Sequence, residues 1–299
     1  MTRSLIAAVA LAVALPVTSF AESITIDTAR GAAEVSVAPE KLVVLDLAAV
    51  DTLEALGVDV DGLPAPVYLD YLEDVAEDAK AVGSLFEPDF EALAVMAPDL
   101  IIAGGRSSRQ FDPLTKVAPT VDMTIWGADL VGQAKARTTA YGAVFDKVDE
   151  AAALNAALDA KLATLAAAIE GKGNGLIVLT NGGKVSAYGA DSRFGWLHEA
   201  TGLPEAHDAI TAETHGEAVS FEFLADVNPD WMLVVDRGAA IGQAGEAAAA
   251  TLDNPLVAGT KAGQSGQIIY LNSGPLYIAG GGMQSMMGTV DELLAAFGG

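Results

Sequence analysis

Apolar positions in this chain follow two spacings, and the switches between them predict its elements. Short unbroken runs such as Leu42 to Leu45 and Leu176 to Leu179 read as strands buried on both faces, as in parallel sheets. Apolar residues three or four apart from Val50 to Leu56, stopped by Gly57, read as a helix, and Asp70 to Asp78 reads as a short acidic one. Extended segments open at Val58 and at Val82-Gly83. Val117 to Val121 reads as an edge strand, because Pro119 cannot donate to a central ladder. The chain begins its alternation with a hairpin, Ser23 to Ile26 against Ala33 to Val37, around Ala29-Arg30-Gly31. From Ala128 to Glu170 turn signals thin out and alanine dominates. There Leu154, Leu158, Leu162, Leu165 and Ile169 put one apolar face on a helix from about Asp149 to Glu170, roughly 33 Å long. Such a helix is either a strut between two lobes or a peripheral helix of the first. Beyond Gly171 to Gly175 the alternation resumes. Lys184 to Tyr188 is a second hairpin strand and Trp196 to Ala200 a helix; a polar loop then carries His207 and His215. An alanine-rich helix, a strand at Gln267 to Leu271 and a Gly-rich turn into a final helix complete the chain.

One segment occurs twice. Residues 89 to 106, DFEALAVMAPDLIIAGGR, and residues 220 to 237, SFEFLADVNPDWMLVVDR, align without a gap and share Phe, Glu, Leu, Ala, Pro, Asp and Arg at matching places. In each copy Asp89 or Ser220 caps a short helix, Pro98 or Pro229 ends it, an apolar run forms a buried strand, and an arginine follows the strand. A duplicated helix, strand and arginine predicts two similar α/β lobes.

Composition narrows the partners. With 299 residues, 52% of them hydrophobic, the chain can fill more than one core. A net charge of −24 argues against nucleic acid or an anionic membrane surface, which need a basic face. Arg3, the apolar run from Leu5 to Leu15 and Ser19-Phe20-Ala21 have the layout of an export signal cleaved after Ala21. No later stretch reads as a bilayer span, so a soluble exported protein without membrane insertion is expected. The absence of cysteine excludes thiol catalysis, thiolate metal sites and a lipid anchor on an N-terminal cysteine. A free, monomeric periplasmic protein fits. The expected divisions are residues 1–21 as signal, 22–147 as first lobe, 148–171 as interlobe helix and 172–299 as second lobe.

Candidate chemistry rests on few residues. Arg106, Arg193 and Arg237 each follow a predicted strand, and ligands of open α/β sheets bind beyond the carboxyl ends of strands. Three arginines converging there suit a planar anion through bidentate and ring-face contacts. Glu91 and Glu222, matched in the repeat, stand in the first turns of their helices. A carboxylate there answers the helix dipole, and one per lobe also makes a two-point docking face for a basic partner. His198, His207 and His215 are the rival candidates, for zinc, but all come from one short span of one lobe. No nucleophile elbow, HExxH or phosphate loop is present, so a binding protein is expected rather than an enzyme. Tyr188, Trp126 and Trp196 are candidates for lining a cleft.

A series of motifs in order resembles the periplasmic ferric-siderophore-binding proteins, and within them the catecholate-binding branch. The motifs are THG at 214 to 216, FEFL at 221 to 224, NPD at 228 to 230, VVDRG at 234 to 238, LDNPLV at 252 to 257 and IIYLNSGPLYIAGGG at 268 to 282. VGSLFEPDFEAL, APDLIIAGGRSS and YGADSRFG extend the likeness over nearly the whole mature chain. The resemblance implies two Rossmann-like α/β lobes bridged by one long helix, the class III solute-binding type with a helical backbone. It implies delivery of a ferric siderophore to an inner-membrane ABC permease, with no intrinsic cofactor. Arg106, Arg193 and Arg237 match the family's anion-holding triad, and Glu91 and Glu222 its paired docking carboxylates. His215 and Tyr277 match residues that complete iron coordination in one branch. Three catecholates fill all six positions of Fe³⁺ and two leave a pair open; Tyr277, a hard oxygen donor, is the stronger ligand of the two. Asn272-Ser273-Gly274-Pro275 is less aromatic than in some relatives. Haem, cobalamin or a hydroxamate siderophore on the same fold, and more remotely a secreted metal-dependent enzyme, are the alternatives.

Overall fold

The apolar runs become the central strands of two five-stranded sheets. The computed structural model describes residues 22–127, 129–210, 215–243, 245 and 247–298; the expected export signal, residues 1–21, lies outside them. Strands β1 (Ser23–Thr28) and β2 (Gly31–Ser36) form the antiparallel opening hairpin. The first lobe then runs β3 (Leu42–Val44), α1 (Leu47–Ala55), β4 (Gly62–Leu63), α2 (Glu73–Asp78), β5 (Lys80–Ala81), α3 (Phe90–Met96), β6 (Leu100–Ala103), α4 (Phe111–Leu114) and β7 (Thr120–Asp122). Its sheet is parallel throughout in the order β5-β4-β3-β6-β7, which puts β7 and its preceding proline at an edge. Asp70 to Leu72 forms a 3₁₀ turn ahead of α2, so the acidic helix is split.

Two antiparallel helices follow, α5 (Leu130–Val144) and α6 (Val148–Ile169). The second lobe comprises β8 (Gly175–Asn181), β9 (Lys184–Tyr188), α7 (Trp196–Glu199), β10 (Glu217–Val219), α8 (Phe221–Val227) and β11 (Trp231–Asp236). Four short helices come next: α9 (Arg237–Ala240), α10 (Ala248–Thr251), α11 (Pro255–Ala258) and α12 (Lys261–Ser265). The expected alanine-rich helix is thus broken, as Gly238, Gly242, Gly245 and Pro255 dictate. β12 (Ile268–Tyr270), α13 (Ser273–Ile278) and α14 (Met283–Phe297) end the lobe. Its strand order, β10-β9-β8-β11-β12, repeats that of the first lobe, with β9 alone reversed.

Each continuous apolar run feeds two faces. In β3 and the residue after it, Leu42 and Val44 join the core under α1, while Val43 and Leu45 join the one under α3; in β8, Ile177 and Leu179 face one way and Leu176 and Val178 the other. Several residues shared by the repeat have a packing reason. Leu93 and Leu224 are fully buried, and the helices stop at Ala97 and Asn228 in left-handed conformation one residue before the proline. Asp99 then accepts from the Lys41 amide (2.9 Å) and Asp230 from the Asn174 amide (3.1 Å), each fastening the start of the neighbouring strand.

Helix α6 is the strut. Ala151 enters the first-lobe core, Leu158, Leu162, Leu165 and Ile169 enter the second, and Leu154 touches both. By length and composition it is apolar enough to cross a membrane, contrary to the sequence expectation, but its leucines are taken by the two cores. On its outer side Asp159 and Lys161 pair with Lys135 and Asp291. The chain passes between the lobes once, yet the lobes also touch directly, since Ile278 and Ala279 pack in the first-lobe core.

Candidate functional site

Parallel topology decides which residues share an edge. Arg106 lies past the carboxyl end of β6, and Arg237 is the first residue of α9, directly past β11. Because α3 and α8 run back antiparallel to their strands, their N-terminal turns, with Glu91 and Glu222, emerge at that same edge. Both glutamates are exposed. The Glu222 carboxyl is held below its ordinary range by its own backbone N–H and the Ser220 hydroxyl. Arg193 arrives differently: β9 is antiparallel to β8, so the carboxyl-end rule does not place it, and the loop after Tyr188 carries it back.

The three arginines meet on Tyr277. The Tyr277 carbonyl oxygen accepts from Arg106 Nη2 (3.1 Å) and Arg193 Nη2 (2.9 Å), and the Ile278 carbonyl accepts from Arg106 Nη1 (3.4 Å). Arg237 Nε donates to the Tyr277 hydroxyl (3.2 Å), and its Nη1 to Asn181 Oδ1 (3.4 Å). The Arg193 guanidinium carbon lies 4.3 Å from the Tyr277 ring centre and 4.9 Å from that of Phe194. The carbonyls engaged are in the last turn of α13, where backbone acceptors have no helical partner. Tyr277 is therefore on a helix. Two further arginines serve the fold: Arg30 pairs with Asp122 and lies over Phe111, and Arg137 donates to the Asp27 carbonyl.

Charge makes this cluster a candidate anion site. Burial alone would raise the Tyr277 phenol, but Arg193, Arg237 and Arg106 together outweigh it and lower it below its ordinary value. Burial lowers Arg193, and Arg106 beside it adds to the effect, while Tyr277 opposes them. Beneath the Arg106 loop, a Cβ at Gly104 would come within 2.5 Å of Asp46 Oδ2. Burial pushes Asp46 up to about 6, against the pull of the Ala48 amide and Arg106. Half-buried guanidiniums facing a phenol bias the edge toward a ligand that brings negative oxygen.

His215 is exposed, and among the described residues no hydrogen bond or ring contact joins it to Tyr277. Its neighbour Gly216 fixes its place: a Cβ there would meet the Tyr188 ring at 2.5 Å, and Tyr188 packs edge-on against Phe194, which leans on Tyr277. His198 is buried with Nδ1 2.9 Å from the Leu203 carbonyl oxygen, and His207 leans on Phe223, so the three histidines stand in separate surroundings. Tyr188 and Trp196 are core residues at 2% and 3% exposure, whereas Trp126, past β7, is 52% exposed. Tyr68 and Asn181 were not singled out from the sequence; neither sits in a motif or a repeat.

Comparison with known proteins follows the same lines. A family model described as "periplasmic binding protein" matches residues 42–275. The petrobactin-binding protein YclQ of Bacillus subtilis is 38% identical over 259 residues, covering 85% of this chain and 81% of the relative. Its crystal structure superposes with a TM-score of 0.89, covering 92% of this chain and 99% of that one. The ferric-anguibactin-binding protein FatB of Vibrio anguillarum is 28% identical over 92% of this chain and 87% of its own length. The periplasmic catecholate-siderophore binding protein VctP of Vibrio cholerae, 29% identical, superposes with a TM-score of 0.86 over 92% of this chain and all of its own (100%).

Proposed function

We propose, since this chain belongs to the periplasmic binding protein family, that it captures an anionic ferric siderophore of the catecholate type between its lobes and delivers it to an ABC permease for iron uptake. The convergence of Arg106 from the first lobe with Arg193 and Arg237 from the second on Tyr277 carries this reading. The Arg106 and Arg193 guanidiniums rest on neutral α13 carbonyls, and Arg237 on the Tyr277 hydroxyl. Catecholate oxygens carry charge and are the stronger acceptors, and the ring faces suit stacked guanidinium. The protein binds and carries its ligand and converts nothing. The reading includes export with cleavage after Ala21 and a free monomer in the periplasm, with residues 22–147 and 172–299 as the two lobes.

Where the siderophore leaves two positions of Fe³⁺ open, Tyr277 and His215 supply the missing donors. The lowered phenol more readily gives its proton to solvent when its oxygen binds iron. Fluorescence titration with ferric bis- and tris-catecholates tests both statements. Both complexes should quench. His215→Ala combined with Tyr277→Phe should weaken the bis complex by about ten-fold or more and the tris complex by much less. Failure of both complexes to bind, with tight binding of haemin, cobalamin or a hydroxamate complex, would overturn the ligand assignment. Equal losses for the two catecholates would remove the ligation.

Glu91 and Glu222 dock on basic residues of the permease. Exchanging both for arginine should leave siderophore binding in solution intact while uptake of labelled iron by cells falls by roughly ten-fold or more, because like charges now meet. Unchanged uptake would show that these carboxylates only answer their helix dipoles.

A further inference from the structure

The segment that leaves the carboxyl end of β4 holds one tyrosine in an unusual state. Val67 and Leu69 are both buried in the first-lobe core, which fixes the backbone on either side of Tyr68. Tyr68 between them is turned out, with 41% of its surface exposed and φ at +61°. That region is rarely occupied by a bulky side chain, and glycine would fit it without strain. The ring nevertheless has a defined place. A Cβ built at Gly242 would lie 3.4 Å from Tyr68 Cδ1 and 3.5 Å from Cε1, so the ring reaches the second-lobe loop that follows α9, the helix begun by Arg237. The Tyr68 carbonyl oxygen lies 3.4 Å from the Cβ position of Gly274, on α13, the helix of Tyr277. A flat, half-exposed ring thus stands at the sheet edge where ligands of this topology bind, between the elements that carry Arg237 and Tyr277.

We propose that Tyr68 is a ligand-contacting, specificity-determining residue, the first-lobe wall of the site, whose ring packs on a planar aromatic unit of the ferric complex. This assignment rests on the catecholate reading above. The backbone strain it carries has no return in core packing, since the ring is largely outside the core; strain kept at a binding edge is the pattern expected of a contact residue. Stacking on a catecholate ring would give the first lobe an attractive contact besides Arg106, and would favour complexes that present a ring on that side over those that do not.

The test uses the mature protein with Tyr68→Phe, Tyr68→Gly and Tyr68→Ala, each titrated with the ferric bis-catecholate and melted without ligand. Tyr68→Phe should bind within about two-fold of wild type, while Tyr68→Gly and Tyr68→Ala should lose about ten-fold in affinity. The melting temperature of Tyr68→Gly should equal or exceed that of wild type, because glycine relieves the positive φ. Affinity then falls with no loss of stability, which a merely structural ring would not produce. Wild-type affinity in Tyr68→Gly and Tyr68→Ala would overturn the assignment. So would parallel losses of affinity and melting temperature in all three variants, which would make the ring a spacer between lobes. A wild-type protein that binds no ferric catecholate overturns both readings; one that binds, with variants that bind equally well, overturns this one alone.

Discussion

Arg193→Ala is expected to weaken the ferric bis-catecholate by roughly 100-fold, the largest single loss in the site. Charge-assisted hydrogen bonds contribute about 1.5–3 kcal/mol and truncating one partner of a desolvated charge pair costs about 2–5 kcal/mol, two measures of the same contact that overlap near 3 kcal/mol. The guanidinium also lies on two rings of the protein itself, Tyr277 at 4.3 Å and Phe194 at 4.9 Å, which holds its fork in place for the ligand. A net loss near 3 kcal/mol corresponds to about 100-fold in dissociation constant. Arg193→Lys keeps the charge but loses the planar fork and the stacking, and should fall between, at roughly ten-fold. Removing Arg106, Arg193 and Arg237 together should leave no measurable binding. Isothermal titration at two salt concentrations checks this, and a loss below about three-fold for Arg193→Ala would move the anion site elsewhere.

The parts of this site that were legible in the sequence are those fixed by repeated local rules. Arg106 and Arg237 stand at matched ends of a duplicated helix and strand, and parallel pairing alone carries both to one edge. Asp99 and Asp230 were visible as matches, but their role was not, because their partners, the Lys41 and Asn174 amides, lie far off in the chain. Tyr277 was found through the family likeness. The helix that carries it, α13, was not: proline is tolerated in its first turn, and arginines from both lobes satisfy its last carbonyls. Strand β10 escaped notice because three edge residues show no alternation. Tyr68 is legible only from its backbone, for nothing in the residues around it marks a positive φ.

Asp51 gives the other large effect, on stability. It lies on α1, fully buried, at the place where the second lobe's last helix begins. Its carboxylate accepts from the Tyr71 hydroxyl (2.6 Å) and from the Gln284 (2.8 Å) and Ser285 (2.9 Å) amides, which are among the unpartnered amides of the first turn of α14. Gly282, at the N-cap of α14, has no side chain to cap with, and a Cβ there would come within 2.5 Å of Asp51 Cγ. Asp51 therefore caps α14 across the lobes, helped by Thr52 Oγ1, which accepts from the Met283 amide (3.2 Å). Asp51→Ala would leave three donors unmet, the Ser285 amide buried and the other two partly so, a cost of about 3 kcal/mol, and should lower the melting temperature by roughly 5–10 °C. A drop under about 2 °C would mean that water replaces the carboxylate. The pH dependence separates the charge from the shape. Burial pushes Asp51 up to about 7, against the pull of its three donors. The folded protein then holds this proton more tightly than the unfolded chain does, so the stability linked to it is fully present below the ordinary carboxylate range and is lost as pH rises toward 7. Asp51→Asn has no such titration. Its deficit relative to wild type should therefore shrink from pH 5 to pH 8, with a slope of at most ~1.4 kcal/mol per pH unit. A deficit that stays flat over the same interval would show that the amides and the tyrosine hold Asp51 ionised, since such a carboxyl exchanges no proton there, and that the joint between the lobes is a charged cap rather than a shared proton.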